Sequence, residues 1–134
     1  MSIDQQATSM FRELMPFTAE LEIEVVSQSK EEMVSRFAWA PSRCTVGGAL
    51  HGGAVMTLAD ANAATLAFLN LPEGAQGTTT IESKTNFLRA IRSGYATARS
   101  RLLHGGRRII VIETDVVDDS GKLAARVTQT QAVL

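Results

Sequence analysis

The chain has 134 residues, 45% of them apolar and 20% charged, with a formal net charge of −1. That length suits one domain able to bury a core, and the apolar fraction is too high for a disordered chain. The near-zero charge gives no electrostatic reason to expect nucleic acid or an acidic membrane as partner. The single cysteine, Cys44, can form neither an internal disulfide nor a zinc cluster.

The start, Met1-Ser2-Ile3-Asp4-Gln5-Gln6, lacks the basic residues and apolar block of a secretory signal, so a cytoplasmic protein is expected. Residues 5–15 suit a short helix, with Met10, Phe11 and Leu14 on one face and Pro16 ending it. From Glu20 the text alternates strictly, Glu20-Leu21-Glu22-Ile23-Glu24-Val25, which predicts a strand with one wet face. Residues 33–40 read as its hairpin partner across a turn at 27–32. Pro41 then opens a loop holding Cys44, Thr45, Gly47 and Gly48.

The longest apolar stretch, residues 54–71, is broken by Asp60 and Asn62, and an aspartate mid-helix costs several kcal/mol in lipid. We read it as a helix starting near Leu50-His51-Gly52-Gly53, apolar on nearly every side and therefore wrapped by other structure rather than spanning a membrane. Pro72, Gly74 and Gly77 end it. Four strands follow, at 78–88, 95–103, 108–117 and 122–134, the third apolar on both faces through Ile109-Ile110-Val111-Ile112 as a central strand would be. His104-Gly105-Gly106-Arg107 and Asp118-Asp119-Ser120-Gly121 are the turns between them. Two strands, one buried helix and four consecutive strands predict an α+β chain, an antiparallel sheet curled around that helix. No linker or repeat divides it, so residues 1–134 form a single domain.

At Leu50-His51-Gly52-Gly53 followed by Asp60, the chain resembles the hotdog thioesterases of the phenylacetate-degradation type. Further matches are Thr80-Ile81-Glu82, Asn86-Phe87-Leu88-Arg89, Gly94, Gly106-Arg107-Arg108 and Gly121-Lys122-Leu123-Ala124, in order from about Leu21 to the C-terminus. The resemblance implies a hotdog fold, a curved antiparallel sheet around one helix, and a dimer or dimer of dimers. It implies hydrolysis of an acyl-CoA, aryl or medium-chain, with no cofactor and no metal. In such a site the N–H of Gly52 is the oxyanion donor, worth roughly 3–4 kcal/mol in other acyl-transfer sites. Asp60 is the general base or the nucleophile.

His51 either bonds the thioester or caps the helix, and Thr80 either holds the carboxylate or serves strand propensity. Where many relatives carry asparagine six residues before the histidine, this chain has Thr45, whose hydroxyl offers one donor instead of two. The matched segments also bring Gly53, Glu82, Phe87, Arg89, Arg92, Gly106, Arg107 and Arg108 into the substrate-binding set, the arginines as a basic rim for CoA phosphates. Trp39, Phe68, Phe87 and Leu88 are bulky apolar residues read first as core.

Gly52 and Asp60 are eight residues apart, about 12 Å along one helix axis, whereas a reacting carbonyl needs both groups within about 3 Å. One helix cannot supply both. A two-fold partner running antiparallel can, so a homodimer is required by the chemistry. Two readings remain beside hydrolysis: a non-catalytic acyl-CoA binder, to which Thr45 lends weight, and a hotdog dehydratase, for which no second suitable histidine is present. An acyl-CoA-sensing transcription factor would need a DNA-binding module, which the residues before Glu20 are too few to form.

Overall fold

The computed structural model describes residues 1–134. Helix α1 (Gln5–Leu14) starts at Asp4, whose carboxylate accepts from the Ala7 N–H at 3.0 Å. Pro16 ends α1 as expected, but it also opens a short α2 (Pro16–Glu20), because a proline at the first helical position loses no hydrogen bond. The buried face of α1 is Ala7, Thr8 and Phe11, while Met10 and Leu14 are 55% and 72% exposed. The predicted Met10–Phe11–Leu14 face is thus corrected. Thr8 accepts from the Val25 N–H at 2.8 Å, which fixes the helix at a different rotation.

Strand β1 (Glu24–Gln28) begins later than the alternation suggests. Glu20 and Leu21 close α2, and Glu22 sits at φ 53, a left-handed turn residue that breaks any extended run. Only Ile23 and Val25, both fully buried, keep the predicted inward pattern. Strand β2 (Glu32–Ala38) pairs with β1 as the expected hairpin, and two short turns of 3-10 helix, Pro41–Arg43 and Val46–Gly48, fill the loop after it.

Helix α3 (Gly52–Leu69) is followed by β3 (Thr78–Phe87), β4 (Tyr95–Gly105), β5 (Ile109–Val117) and β6 (Leu123–Val133). All six strands form one antiparallel sheet in the order β1-β2-β4-β5-β6-β3. The chain crosses over after α3 to lay β3 on the far edge, against β6. Helix α3 touches every strand from β2 to β6, which requires the sheet to curve around it. Its Leu58, Ala59, Ala63, Leu66 and Ala67 are sealed, as are Ile110, Ile112 and Val116 of β5. Fully burying one such large aliphatic side chain contributes about 1.5–3 kcal/mol.

The helix is less enclosed than its composition implies. Gly53, Met56, Asp60 and Phe68 are exposed along one stripe, Met56 at 36% and Phe68 at 58%. A single sheet covers only one side of a helix, and α1 and α2 reach only part of the other.

Asn62 fixes the rotation of α3. Fully buried, it donates to the Met33 carbonyl at 2.9 Å and to Ser100 Oγ at 2.6 Å, and its Oδ1 accepts from Ser35 at 2.6 Å. Ser100 in turn lies 2.6 Å from Thr114 Oγ1. A satisfied polar network inside an apolar core tolerates only one helix orientation, and this one turns Asp60 toward β3.

Candidate active site

Helix α3 and β3 run side by side in opposite directions. An added Cβ at Gly52 would lie 3.1 Å from the Phe87 ring at the end of β3. One helical stretch further on, Thr80 Oγ1 donates to Asp60 Oδ1 at 3.4 Å. Beyond that, Ala64, Thr65 and Phe68 line a hollow with Gly77 and Thr78. Gly52 and Asp60 therefore stand at separate points of one seam, about 12 Å apart along α3. The seam is accessible from outside, because β3 is an edge strand whose residues are mostly exposed.

The first turn of a helix has free N–H groups and the positive end of the helix dipole. Here His51 is the N-cap, and its Nδ1 accepts from the Gly53 N–H at 2.8 Å. The amides of Ala54 and Val55 both reach the His51 carbonyl. That leaves the Gly52 N–H as the donor of this turn without a partner in the chain. An imidazole that accepts at Nδ1 carries its proton on Nε2, which faces outward as a donor. Of the two roles expected for His51, the cap is formed. Apolar grooves flank this helix start, one of about 370 Å³ beside Gly52, Val55, Phe87, Leu88 and Ile91, another of about 400 Å³ beside Phe17, Leu21, Cys44, His51 and Gly53. Phe87 and Leu88 are 53% and 60% exposed, and Phe68 too is exposed, so the reading of these three as core is corrected. They end up at the open seam because β3 is an edge. Trp39 does pack against the core, and its Nε1 donates to the Gly48 carbonyl at 2.9 Å.

Asp60 is exposed at its position yet well held. Gln129 Nε2 of β6 donates to its Oδ1 at 2.9 Å, and Gln131 Nε2 donates to Thr80 Oγ1 at 2.8 Å. Neither glutamine was anticipated, although Thr128-Gln129-Thr130-Gln131 alternates visibly and continues the inward face of Ala125 and Val127. The period of two was a usable signal; an amide on an apolar strand face needs a partner.

The other expected residues scatter. A β-bulge at Ile81 sets Thr80 opposite Gln131 but Glu82 opposite Thr130. Directly paired residues share a sheet face, so Thr80 points to the helix and Glu82 to the outer surface, away from Asp60. Thr45 is exposed on the loop before α3, its side chain outside any cap. The four arginines do not form one rim within a chain. Arg89 and Arg92 lie by the β5–β6 turn, where Arg89 pairs with Asp118 at 3.0 Å. Arg107 and Arg108 lie at the other end of β5, about 30 Å away for a strand of this length. Asp118 itself is held down to about 2, first by the Ser120 hydroxyl and then by the Lys122 and Ser120 amides and Arg89. Gly106 serves the β4–β5 turn: a Cβ there would meet the Ile109 carbonyl at 2.7 Å.

Residues 47–125 match the family model of the Thioesterase superfamily. A candidate esterase of Deinococcus radiodurans is 32% identical over 78% of this chain and 65% of that protein. The 1,4-dihydroxy-2-naphthoyl-CoA hydrolase of Escherichia coli is 32% identical over 65% of this chain and 63% of its own length. The chain thus spans just under two thirds of these two relatives. Among solved structures, a glutamine-to-alanine variant of a Pseudomonas aeruginosa thioesterase superposes with a TM-score of 0.89 at 25% identity, covering 100% of this chain and 96% of that one.

Proposed function

We propose that this chain, which belongs to the thioesterase superfamily and has the hotdog fold, is a thioester hydrolase and that the thioester it cleaves is an acyl-CoA with an aryl or medium-chain acyl group. The reaction joins water to the acyl carbon, breaks the C–S bond and passes a proton to the departing thiolate. It needs a donor where the carbonyl oxygen gains charge and a carboxylate that either takes the proton from water or attacks the carbon itself. The unpartnered Gly52 N–H supports the first role and the hydrogen-bonded Asp60 the second. The two grooves flanking the helix start suit the two arms of a thioester. The naphthoyl-CoA hydrolase among the relatives favours an aryl acyl group.

The observation that carries this reading is the α3–β3 seam, with the amide at one point, the carboxylate at another and an unpaired edge alongside. A second copy pairing β3 with β3 about a two-fold axis near Ser83 and Lys84 would bring Phe87 of one protomer opposite Thr80 of its partner. Gly52 rides with Phe87 and Asp60 with Thr80, so each amide would then face the other chain's carboxylate. The exposed Met56 and Phe68, and the length of the open edge, support such a partner. The product is a homodimer with two equivalent sites; a dimer of dimers could carry the basic segments of one chain to the site of another.

The test is a panel of aryl- and aliphatic-CoA thioesters followed by thiol release, on the wild type and on Asp60→Asn. The variant is expected to keep the wild-type melting temperature and lose at least roughly a hundredfold in turnover, the scale of a general base. Undiminished hydrolysis by Asp60→Asn overturns the role of Asp60. Saturable binding by the wild type without thiol release overturns hydrolysis of CoA thioesters in favour of a binding protein.

A further inference from the structure

We propose that Gln129 and Gln131 of β6 are positioning residues for the Asp60 carboxylate, an inference that rests on the reading of Asp60 given above. Both point from the sheet toward α3 and are sealed from solvent, 0% and 1% exposed, on a face otherwise built of Ala125 and Val127. A primary amide is costly in such a place unless it is bonded. Gln129 is bonded on one side only. Its Nε2 donates to Asp60 Oδ1 at 2.9 Å, while its buried Oε1 has no partner in the chain. An amide that leaves its own acceptor unsatisfied is not there to complete the core; the contact its burial secures is the one to the carboxylate.

Gln131 acts one step further back. Its Nε2 reaches Thr80 Oγ1 at 2.8 Å, and an amide nitrogen can only donate. The hydroxyl therefore accepts there and turns its own proton toward Asp60 Oδ1, 3.4 Å away. The polarity of the relay is fixed in one direction, amide to hydroxyl to carboxylate. The bulge at Ile81 is what aims Thr80 into it. Both lines end on Oδ1. They hold the carboxylate by that oxygen and leave Oδ2 free of intrachain bonds to face water or the thioester carbon.

Gln129→Met is the test. It is close to glutamine in length and removes the donor and the unpartnered acceptor together. With the best thioester from the panel, kcat is expected to fall roughly ten- to a hundredfold, the scale of a hydrogen bond to a charged group. KM should stay within about threefold, and the melting temperature should hold or rise, because a buried unsatisfied oxygen is lost. Gln131→Leu should cost less, and nothing further in a Thr80→Val background, because it acts through that hydroxyl. Thr130→Val, on the opposite face of the same strand, should leave kcat where it was.

Wild-type kcat in Gln129→Met overturns the proposal. Should a loss of kcat come with a lower melting temperature, the mark of a merely structural residue, Gln129→Asn, which keeps the amide but shortens its reach, must show the same loss at unchanged KM and wild-type melting temperature, or the assignment falls. Full turnover in Asp60→Asn would instead remove the premise about Asp60. Loss in Asp60→Asn with none in Gln129→Met removes the positioning role alone.

Discussion

Asp118 shows how one residue can be misread from spacing and still be legible in its chemistry. It stands in the turn Asp118-Asp119-Ser120-Gly121, where the sequence places a turn and nothing more, and where Arg89 was assigned to a CoA phosphate. In the folded chain its Oδ1 accepts from the Ser120 hydroxyl and from the Ser120 and Lys122 amides, while Oδ2 accepts from Arg89. These donors hold its pKa down to about 2, below the ordinary carboxylate range. A carboxylate depressed in the folded state stabilises the fold at and above that ordinary range and loses the contribution as pH falls toward 2. Urea midpoints of the wild type should therefore drop between about pH 4 and pH 2, and Asp118→Asn should flatten that slope. An identical acid slope in the variant would show that the turn's carboxylate contributes nothing. Arg89, tied to this turn, serves the β5–β6 connection within the chain before it serves any ligand.

At the scale of one element, α3 joins two functions through two polar residues of opposite kinds. Asp60 and Asn62 both read as interruptions of an apolar run, and only their surroundings separate them. Asn62 is sealed and spends its amide on Met33, Ser35 and Ser100, whereas Asp60 opens to the seam. Asn62→Leu should leave two buried hydroxyls and a carbonyl short of partners and lower stability by about 2–4 kcal/mol, measured by urea unfolding with an unchanged m-value. A cost below about 0.5 kcal/mol, the range of an ordinary surface change, would show that the network does not anchor the helix. Strand β6 repeats the lesson. Its alternation announces an inward face, but that Gln129 reaches a carboxylate 69 residues earlier in the chain, and Gln131 the Thr80 hydroxyl beside it, is decided by the β3–β6 pairing and the bulge at Ile81.

For the whole molecule, the separation of Gly52 from Asp60 makes the proposed homodimer part of the proposed chemistry. If each site combines the amide of one protomer with the carboxylate of the other, two inactive variants should rescue each other. Gly52→Val, whose side chain would press on the Phe87 ring, and Asp60→Asn are each expected to be nearly inactive. Mixed and allowed to exchange, they form heterodimers with one intact site in two. Equal mixing then returns about a quarter of wild-type activity, since half of the dimers are mixed and half of their sites are whole. No recovery, with exchange verified by mass-tagged subunits, would place both groups of a working site in one chain.

The order of the strands about the single long helix, the central position of β5 and the histidine-glycine start of α3 follow from the sequence alone, because hydrophobic period and turn residues act over a few positions. The eight-residue gap between Gly52 and Asp60 sufficed to rule out a site on one helix, since helical rise is fixed by backbone geometry. What the tertiary structure decided was direction and neighbourhood: which way Glu82 and Thr80 face across a one-residue bulge, that Arg89 is engaged by Asp118, and that of two glutamines on the last strand one reaches the carboxylate and the other the Thr80 hydroxyl. Those outcomes depend on strand register between distant segments, and a one-residue change in register turns a side chain to the other face of the sheet.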